Sequence, residues 1–573
     1  MLRCTAVRIP FALFAFALLI RALLFGLHPD AAYPDSYYYV DVARALQAGH
    51  GFNVDFIYSF LDVGGRIPPN PTLPIPSNGF WMPLASLVQV PALWLLGPTT
   101  LASALPFILI GSLAAPLTWL VAREIGCRPA VSLAAGIAVA CPAAAAIYAS
   151  QPDNFSLYQP IGLAVLWLAA RGLKGHGGSF ALAGLMAGLA SLSRNDGLLL
   201  GAVVGLAFSW DRWRAWRSRG ARVPAIPWRY AFACLGLFVL VMAPWYLRQL
   251  AVFGGLSPSS GSGRVLFISH YDDIERVTGD VSLPAYLGQG LVPLLASRLA
   301  GLVAAIGIFA VLACSLALAP FVLVGAWARR RSVDFGPYFV YAGLLFAVSI
   351  LLFPVFIVHG TFLHSAVALV PYTCIAGFEG LAIVVAWVAR HRHNWQEERA
   401  TPLFIGTAAG LMILSTAVYA SMTFPSWNTE RDQTIAAGRA LDAAGAPPSD
   451  LVMSADPAGY KYFTGRGGVV TPNDSLDVTR EVAADYGIRW LVLERAHIVE
   501  PLAPVIESTV RPSWLGPPIF VIPYTGPPTG DPAASGAPAL AIYPVCITPA
   551  DTRCGGAASA SPVAGGSEIG YVP

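Results

Sequence analysis

Hydrophobic residues in this chain come in long runs, not at strand or amphipathic-helix spacing. About 20 apolar residues in a helix cross a bilayer. Runs of that kind recur at 9–27, 99–121, 129–149, 155–170, 180–194, 197–210, 230–247, 302–328, 336–357, 362–389 and 402–423. They predict about eleven transmembrane helices. Three runs (155–170, 180–194 and 197–210) are short, and the polar Arg194-Asn195-Asp196-Gly197 separates the last two. The stretch Phe80 to Gly97 is apolar but carries Pro83, Gln89 and Pro91, and reads as an interfacial or half-inserted helix. Arg3 and Arg8 precede the first run and no small-residue cleavage site follows it, so it reads as a retained signal anchor.

After Met422 the pattern changes. Glu430 to Ala444 is helical in character, Leu451-Val452-Met453 strand-like, and Asp456-Pro457 a turn that opens a helix. Val469-Val470 is strand-like, Val478 to Tyr486 helical, and Arg489 to Leu493 a buried strand. Strands separated by a helix suggest a βαβ unit. Beyond about Tyr524 the chain is rich in Pro, Gly, Ala and Ser, and disorder is expected. The expected division is a transmembrane domain at 1–424, a small extracytoplasmic α/β domain at 425–523, and a disordered tail at 524–573. The first domain includes outer loops at 28–98 and 249–301.

Composition agrees with a polytopic α-helical membrane protein. Of 573 residues, 56% are hydrophobic and 12% charged, whereas soluble domains run near 25% charged. The net charge of +3 says little about partners; the placement of charge says more. With the N-terminus in the cytoplasm, inner loops carry eighteen basic residues: Arg3, Arg8, Arg123, Arg128, Arg171, Lys174, Arg212, Arg214, Arg217, Arg219, Arg222, Arg229, Arg329, Arg330, Arg331, Arg390, Arg392 and Arg399. Outer loops carry seven: Arg44, Arg66, Arg194, Arg248, Arg264, Arg276 and Arg298. That bias sets orientation. The basic run from Arg212 to Arg229 reads as a stop-transfer signal beside anionic lipid, not a nucleic-acid site. Eight cysteines are scattered without metal-ligand spacing, and an extracytoplasmic Cys546 and Cys554 would be free to form a disulfide.

Acidic residues at membrane boundaries are costly, which makes them functional candidates. Asp35, in Tyr33-Pro34-Asp35-Ser36, starts a helix that carries Tyr38, Ala43 and Leu46. Spacing alone favours a helix cap there. Asp153 follows Pro152 in a short outer loop and is open to the same two readings. If the two aspartates converge, they suit a general base and the group that orients it. Arg194, Asp196, Arg248 and Arg264 are outward candidates for a lipid-linked phosphate, with Arg248 alternatively an interfacial anchor beside Trp245 and Tyr246. His359 and His364 are five residues apart and share no helix face, which argues against a metal pair. His270, Asp272 and Asp273 read as substrate contacts or a solvated turn.

In combination these pieces resemble the GT-C membrane glycosyltransferases that use polyprenyl-phosphate sugars, such as bacterial lipid A and lipopolysaccharide-core transferases and protein O-mannosyltransferases. Asp35 with Tyr38, Ala43, Leu46, Gly49, Gly51 and Phe52 looks like the family's first-loop motif. Phe80-Trp81-Met82-Pro83-Leu84, Asp153, Leu192 to Gly197, Pro244 to Arg248 and Gly360 to Ser365 look like further family segments. The resemblance covers about residues 1–500. It implies inverting transfer of a hexose or pentose from a polyprenyl phosphate to an acceptor hydroxyl on a glycan, lipid or protein, outside the inner membrane. Asp35 would be the base and Asp153 its orienting partner. Arg194, Asp196, Arg248, Arg264, Tyr38 and His364 would bind donor phosphate or substrate, and the C-terminal domain would cover the cleft or bind acceptor. Many relatives carry Asp-Glu where this chain has Asp35-Ser36, so no metal or other cofactor is expected. A transporter or flippase is the main rival, but no internal repeat is visible and the first outer loop is long. A polysaccharide polymerase or ligase and a non-catalytic scaffold are the others.

Overall fold

The computed structural model describes residues 2–218, 222–259, 261–392, 395–524, 538–547 and 551–554. The described residues fall into two compact units. Met1–His50, Asn78–Tyr271 and Val281–Trp427 form the first; Gly51–Ser77, Asp272–Asp280 and the residues from Asn428 onward form the second.

The first unit is helical. In chain order it holds α1 (Leu2–Leu27), α2 (Pro34–Gln47), α3 (Leu84–Leu87), α4 (Val90–Leu96), α5 (Thr100–Ser112), α6 (Ala114–Glu124), α7 (Pro129–Ala140), α8 (Ala144–Tyr148), α9 (Asn154–Leu173) and α10 (Gly177–Ser193). These are followed by α11 (Leu198–Arg217), α12 (Trp228–Phe253), α13 (Ser262–Val265), α14 (Leu283–Gly288), α15 (Leu291–Ile308), α16 (Ala319–Arg329), α17 (Gly336–Leu352), α18 (Thr361–Ser365) and α19 (Val370–His391). The long helix α20 (Glu397–Ala443) begins in this unit and ends in the second. Seven helices among the described residues are long and apolar enough to cross a membrane: Val7–Leu27, Thr100–Glu124, Trp228–Phe253, Leu291–Ala313, Val333–Leu352, Val370–His391 and Glu397–Ala443. The sequence pattern suggests about eleven. Part of the difference lies in runs that the fold breaks or loads with charge. The run 129–149 divides at Cys141-Pro142, where Ala143 has φ 47°, and α11 ends in Asp211, Arg212, Arg214 and Arg217. Phe80 to Gly97 forms the two short helices α3 and α4. Buried Gln89 donates to Tyr39 O (3.3 Å) and Ala85 O (2.9 Å) and ties them to α2.

Several helices leave large apolar side chains exposed, as Phe232, Leu235, Leu240 and Leu247 of α12 do. Lipid solvates such a surface and water does not. Without a hydrophobic drive between helices, close backbone approach at small residues supplies the packing. A Cβ added at Gly325 of α16 would sit 1.9 Å from Ala376 O, and one at Gly380 of α19 would sit 1.9 Å from Phe321 O. Gly184 does the same for α10 against Cys234 O of α12, at 2.0 Å. At the Leu173 end of α9 the helices are joined by ion pairs: Lys174 to Asp334 (2.6 Å), Arg171 to Glu124 (3.3 Å), and Arg329 to Glu379 (2.7 Å).

The second unit is α/β. Strands β1 (Asn53–Val54) and β3 (Ile75–Pro76) form a small antiparallel pair. The main sheet contains β2 (Phe56–Ile57), β4 (Val452–Ser454), β5 (Gly468–Val470), β6 (Trp490–Glu494), β7 (Phe520–Ile522) and β8 (Leu540–Pro544), in the order β2-β5-β4-β6-β8-β7. The first four in that order run parallel, with α21 (Pro457–Thr464) and α22 (Leu476–Asp485) as crossovers. Side chains alternate across it: Met453, Val469 and Leu491 pack with Val482 of α22, while Val452, Trp490 and Val492 pack with Ala437 and Leu441 of α20. The short helix α23 (Ala503–Ile506) completes the unit.

Two expectations are corrected here. The outer-loop segments 51–77 and 272–280 do not belong with the helical unit. β2 adds a parallel edge strand to β5, and Asp474 accepts from Val277 N (2.7 Å) and from the Thr278 hydroxyl. The tail is also not structureless throughout. Leu540–Pro544 is fully buried between β6 and β7, because its Leu-Ala-Ile-Tyr-Pro run is apolar although its flanks are not. Cys546 and Cys554 are joined by a disulfide. Residues 525–537, 548–550 and 555–573 lie outside the described ones.

The glycine crossings give a direct test. Gly380→Val in the full chain should lower the apparent melting temperature in detergent, since overpacking costs about 1–3 kcal/mol or more. Gly343→Ala on α17, where nothing lies within 4 Å of the added carbon, should leave it unchanged. Equal melting of the two variants would remove the packing argument.

Candidate active site

Helix α2 opens with Pro34, whose fixed φ suits the first helical position. The cap falls at Tyr33, and Ser36 Oγ accepts from Ala32 N (3.0 Å) and Tyr33 N (3.2 Å). Asp35 is therefore inside the first turn and not the cap. Its Oδ1 accepts from Trp81 Nε1 (3.2 Å), and the Trp81 ring stacks on Tyr38 at 4.7 Å. Tyr38 in turn accepts from Asn78 N (2.6 Å).

Asp153 caps α9, with Oδ1 accepting from Asn154 N–H. Its Oδ2 accepts from the Tyr33 hydroxyl (2.7 Å), and the side chain is fully buried. Asn154 knits three helices together: Nδ2 donates to Tyr39 Oη of α2 (2.6 Å), and Oδ1 accepts from Ser193 Oγ of α10 (2.9 Å).

His364, on α18, completes the group. Its Nδ1 faces Gly360 O (3.0 Å), so that nitrogen carries the hydrogen. Nε2 points between the acids, 3.7 Å from Asp35 Oδ2 and 3.6 Å from Asp153 Oδ2. Both distances exceed hydrogen-bond reach, and Nε2 is buried without a hydrogen-bond partner among the described residues. Phe155 holds the ring from one side at 4.3 Å.

The environment separates the two acids. Burial, then the charge of Asp153, raises the Asp35 carboxyl above the usual range, against His364, Arg194 and Trp81. Burial also pushes Asp153 up, but His364, Tyr33 and the Asn154 N–H pull harder and leave it below the usual range. The two carboxyls are thus shifted in opposite directions, the kind of division that acid–base sites use.

Next to this group, Arg194 Nε donates to Asp196 Oδ1 (3.0 Å) and Ser365 Oγ (3.3 Å), and Nη2 donates to Gly360 O (3.3 Å). Ser365 also donates to Asp196. Nη1 makes no hydrogen bond to the described residues, and the side chain is 15% exposed, enough to meet an anion.

No family model and no curated protein matches the sequence. Solved structures do. ArnT from Cupriavidus metallidurans in the apo state superposes with a TM-score of 0.53 at 14% identity, covering 94% of this chain and 98% of that one. The same protein bound to undecaprenyl phosphate gives 0.52 at 13%, covering 93% and 97%. The apo oligosaccharyltransferase of Archaeoglobus fulgidus gives 0.53 at 13%, covering 84% of this chain and 69% of that one. Both proteins are glycosyltransferases of the GT-C superfamily. This chain shares their fold.

Within this fold, Asp35, Asp153, His364, Arg194 and Asp196 are brought together. Tyr38 supports Trp81 from behind. Arg248 stacks on Trp245 (5.0 Å) and Phe253 (5.3 Å) at the end of α12, the contacts of an interfacial anchor. Arg264 is half-buried on the short α13. His359 stacks on Tyr271 at 3.9 Å. Sequence reasoning passed over Tyr33, Trp81, Asn154, Ser193 and Ser365. Each lies within a motif already singled out or directly beside a candidate residue, so adjacency was the available signal. It also tested His364 only against His359, when its partners stand on other helices.

Asp35, Asp153 and His364 each offer one ligand atom, all within 4.8 Å of one another, the one such trio among the described residues. Ligands about 2.0–2.2 Å from a tetrahedral cation stand roughly 3.3–3.6 Å apart. The histidine-to-acid distances are close to that, and the unpartnered Nε2 has the lone pair that a cation needs. The residues therefore fit a divalent cation.

Proposed function

We propose that this chain is an inverting glycosyltransferase. It moves a sugar from a polyprenyl-phosphate carrier to an acceptor hydroxyl on the extracytoplasmic face of the membrane. The observation that carries the reading is the convergence of Asp35, raised in proton affinity, with ionised Asp153 and an arginine whose Nη1 is available. The fold of ArnT, seen bound to undecaprenyl phosphate, and of the archaeal oligosaccharyltransferase, seen with dolichol-phosphate, supports a lipid-linked donor. The bias of basic residues along the sequence supports the outer face.

In the proposed step the acceptor hydroxyl gives its proton to Asp35 while its oxygen attacks the anomeric carbon. The bond from that carbon to the phosphate oxygen breaks on the opposite side, and the polyprenyl phosphate departs with the electron pair. Arg194 meets the charge that develops there, held in place by Asp196, Ser365 and Gly360 O. Asp153 remains charged and keeps the proton affinity of Asp35 high. Tyr33 and Trp81 fix the two carboxyls.

A second reading adds a divalent cation held by Asp35, Asp153 and His364, and His364 Nε2 is the observation that favours it. When bound, the cation would supply positive charge to polarise a phosphate or hydroxyl oxygen.

Two outcomes test these readings. Asp35→Asn should lower transfer from an undecaprenyl-phosphate-linked sugar by about 10²–10⁴-fold while undecaprenyl phosphate still binds, and Arg194→Gln should weaken that binding. Wild-type turnover in Asp35→Asn would end the base assignment. For the cation, elemental analysis of purified protein incubated with Zn²⁺ or Mn²⁺ should find one ion per chain, lost in His364→Ala. A wild-type chain free of metal, equally active in EDTA, would leave the metal-free reading standing alone.

A further inference from the structure

One buried charge plays no part in the site as described. Arg21 lies in the second half of α1, six residues before its end, and is 2% exposed. A charged side chain inside a membrane helix is costly, and one without a counter-charge costs more. Among the described residues the hydrogen-bond partners of Arg21 are nonetheless all neutral: Nη1 donates to Ala149 O (2.7 Å) and Ser156 Oγ (3.3 Å), and Nη2 donates to Gly111 O (3.1 Å) and Gln159 Oε1 (3.5 Å).

Those partners bracket one turn. Ala149 is the C-cap of α8, and Ser156 and Gln159 lie in the first turns of α9. Between them runs Ser150-Gln151-Pro152-Asp153. Local hydrogen bonds shape that turn, from Ser150 Oγ to Ile147 O (2.6 Å), Gln151 N to Tyr148 O (3.1 Å) and Asp153 N to Gln151 O (2.8 Å), but none of them ties it to another helix. Helix α8 is five residues long and enters from the left-handed Ala143, and Pro152 donates no hydrogen bond. Ser156 Oγ also donates to Ala149 O (2.5 Å), closing the ring around the guanidinium. The third wall is α5, where a Cβ on Gly111 would come within 2.9 Å of Arg21 Cζ and of Ser156 Oγ. The planar fork spans carbonyls on α5 and α8 at once, which a single ammonium does not do.

We propose that Arg21 is a positioning residue for Asp153: it fixes the α8–α9 turn so that the carboxylate faces Tyr33, His364 and Asp35. The proposal rests on the reading that Asp153 serves sugar transfer. If Arg21 acts through Asp153, its removal matters only while that carboxylate is present.

The experiment is a double-mutant cycle on the full chain, with single-turnover transfer from the undecaprenyl-phosphate sugar that the wild type accepts. Arg21→Met should lower the transfer rate about ten-fold or more, with donor binding unchanged, and should cost nothing further in an Asp153→Asn background. Arg21→Lys should fail to restore the rate. Should Arg21→Met not yield folded protein, Gly111→Ala carries the same comparison, because it displaces the guanidinium and keeps its charge. Equal losses in both backgrounds, or a loss confined to donor binding, would overturn the positioning role. Full activity of Asp153→Asn alone would instead sink the underlying reading of Asp153.

Discussion

A fully buried carboxylate loses the water that would hold its charge, and Asp153 recovers it from three directions. The Asn154 N–H, the Tyr33 hydroxyl and the His364 ring face it from α9, the segment before α2, and α18. The first two donate hydrogen bonds and the ring faces the carboxylate without one, and because they come from separate pieces of chain, this one buried group fixes how those pieces meet. The ionised group then acts on its neighbour. Its charge is one of the two main reasons that Asp35 holds a proton more tightly than an ordinary aspartate. The acid–base asymmetry of the site is thus a packing result, set by which carboxyl received the donors.

The same logic explains why both acids sit at helix starts. Asp153 is the cap of α9 and Asp35 lies in the first turn of α2. Helix N-termini present unsatisfied N–H groups and a partial positive charge, which lowers the cost of an anion in a low-dielectric setting. The cap reading and the functional reading of an aspartate are therefore not exclusive. Asp153 does both, one oxygen capping and the other facing Tyr33 and His364.

Much of this was legible before the structure. Long apolar runs marked the membrane helices, Asp35 and Asp153 stood out as acids at their ends, and Arg489 to Leu493 showed as a buried strand. What was hidden follows from the limits of local pattern. Strands of two residues such as Phe56–Ile57 have no periodicity to read. Leu540–Pro544 is apolar within a stretch whose average composition is that of a disordered tail, and an average over fifty residues conceals five. The place of His364 was invisible for another reason: its partners are 211 residues or more away in sequence, at Asp153 and Asp35. Helical spacing tests only neighbours on one helix, so it excluded a pair with His359 and had nothing to say about a triad across three elements.

The position next to Asp35 shows how such a fold redistributes its chemistry. Where a second carboxylate would stand, this chain has Ser36, whose hydroxyl is taken up by the backbone of Ala32 and Tyr33. A carboxylate at that position would place a second negative charge beside Asp35, near the charge of Asp153. Removing it relieves repulsion but also removes one potential oxygen ligand. The group that faces both acids instead comes from α18, and it is a histidine, which is neutral or positive where a carboxylate is negative. At 13–14% identity the fold of ArnT persists over nearly the whole chain, so the scaffold tolerates wide change in sequence. In this chain the ends of α2, α9, α10 and α18 meet at the site. The chemistry then follows from the residue types at those few ends, and a histidine beside two acids leaves less negative charge there than a third acid would.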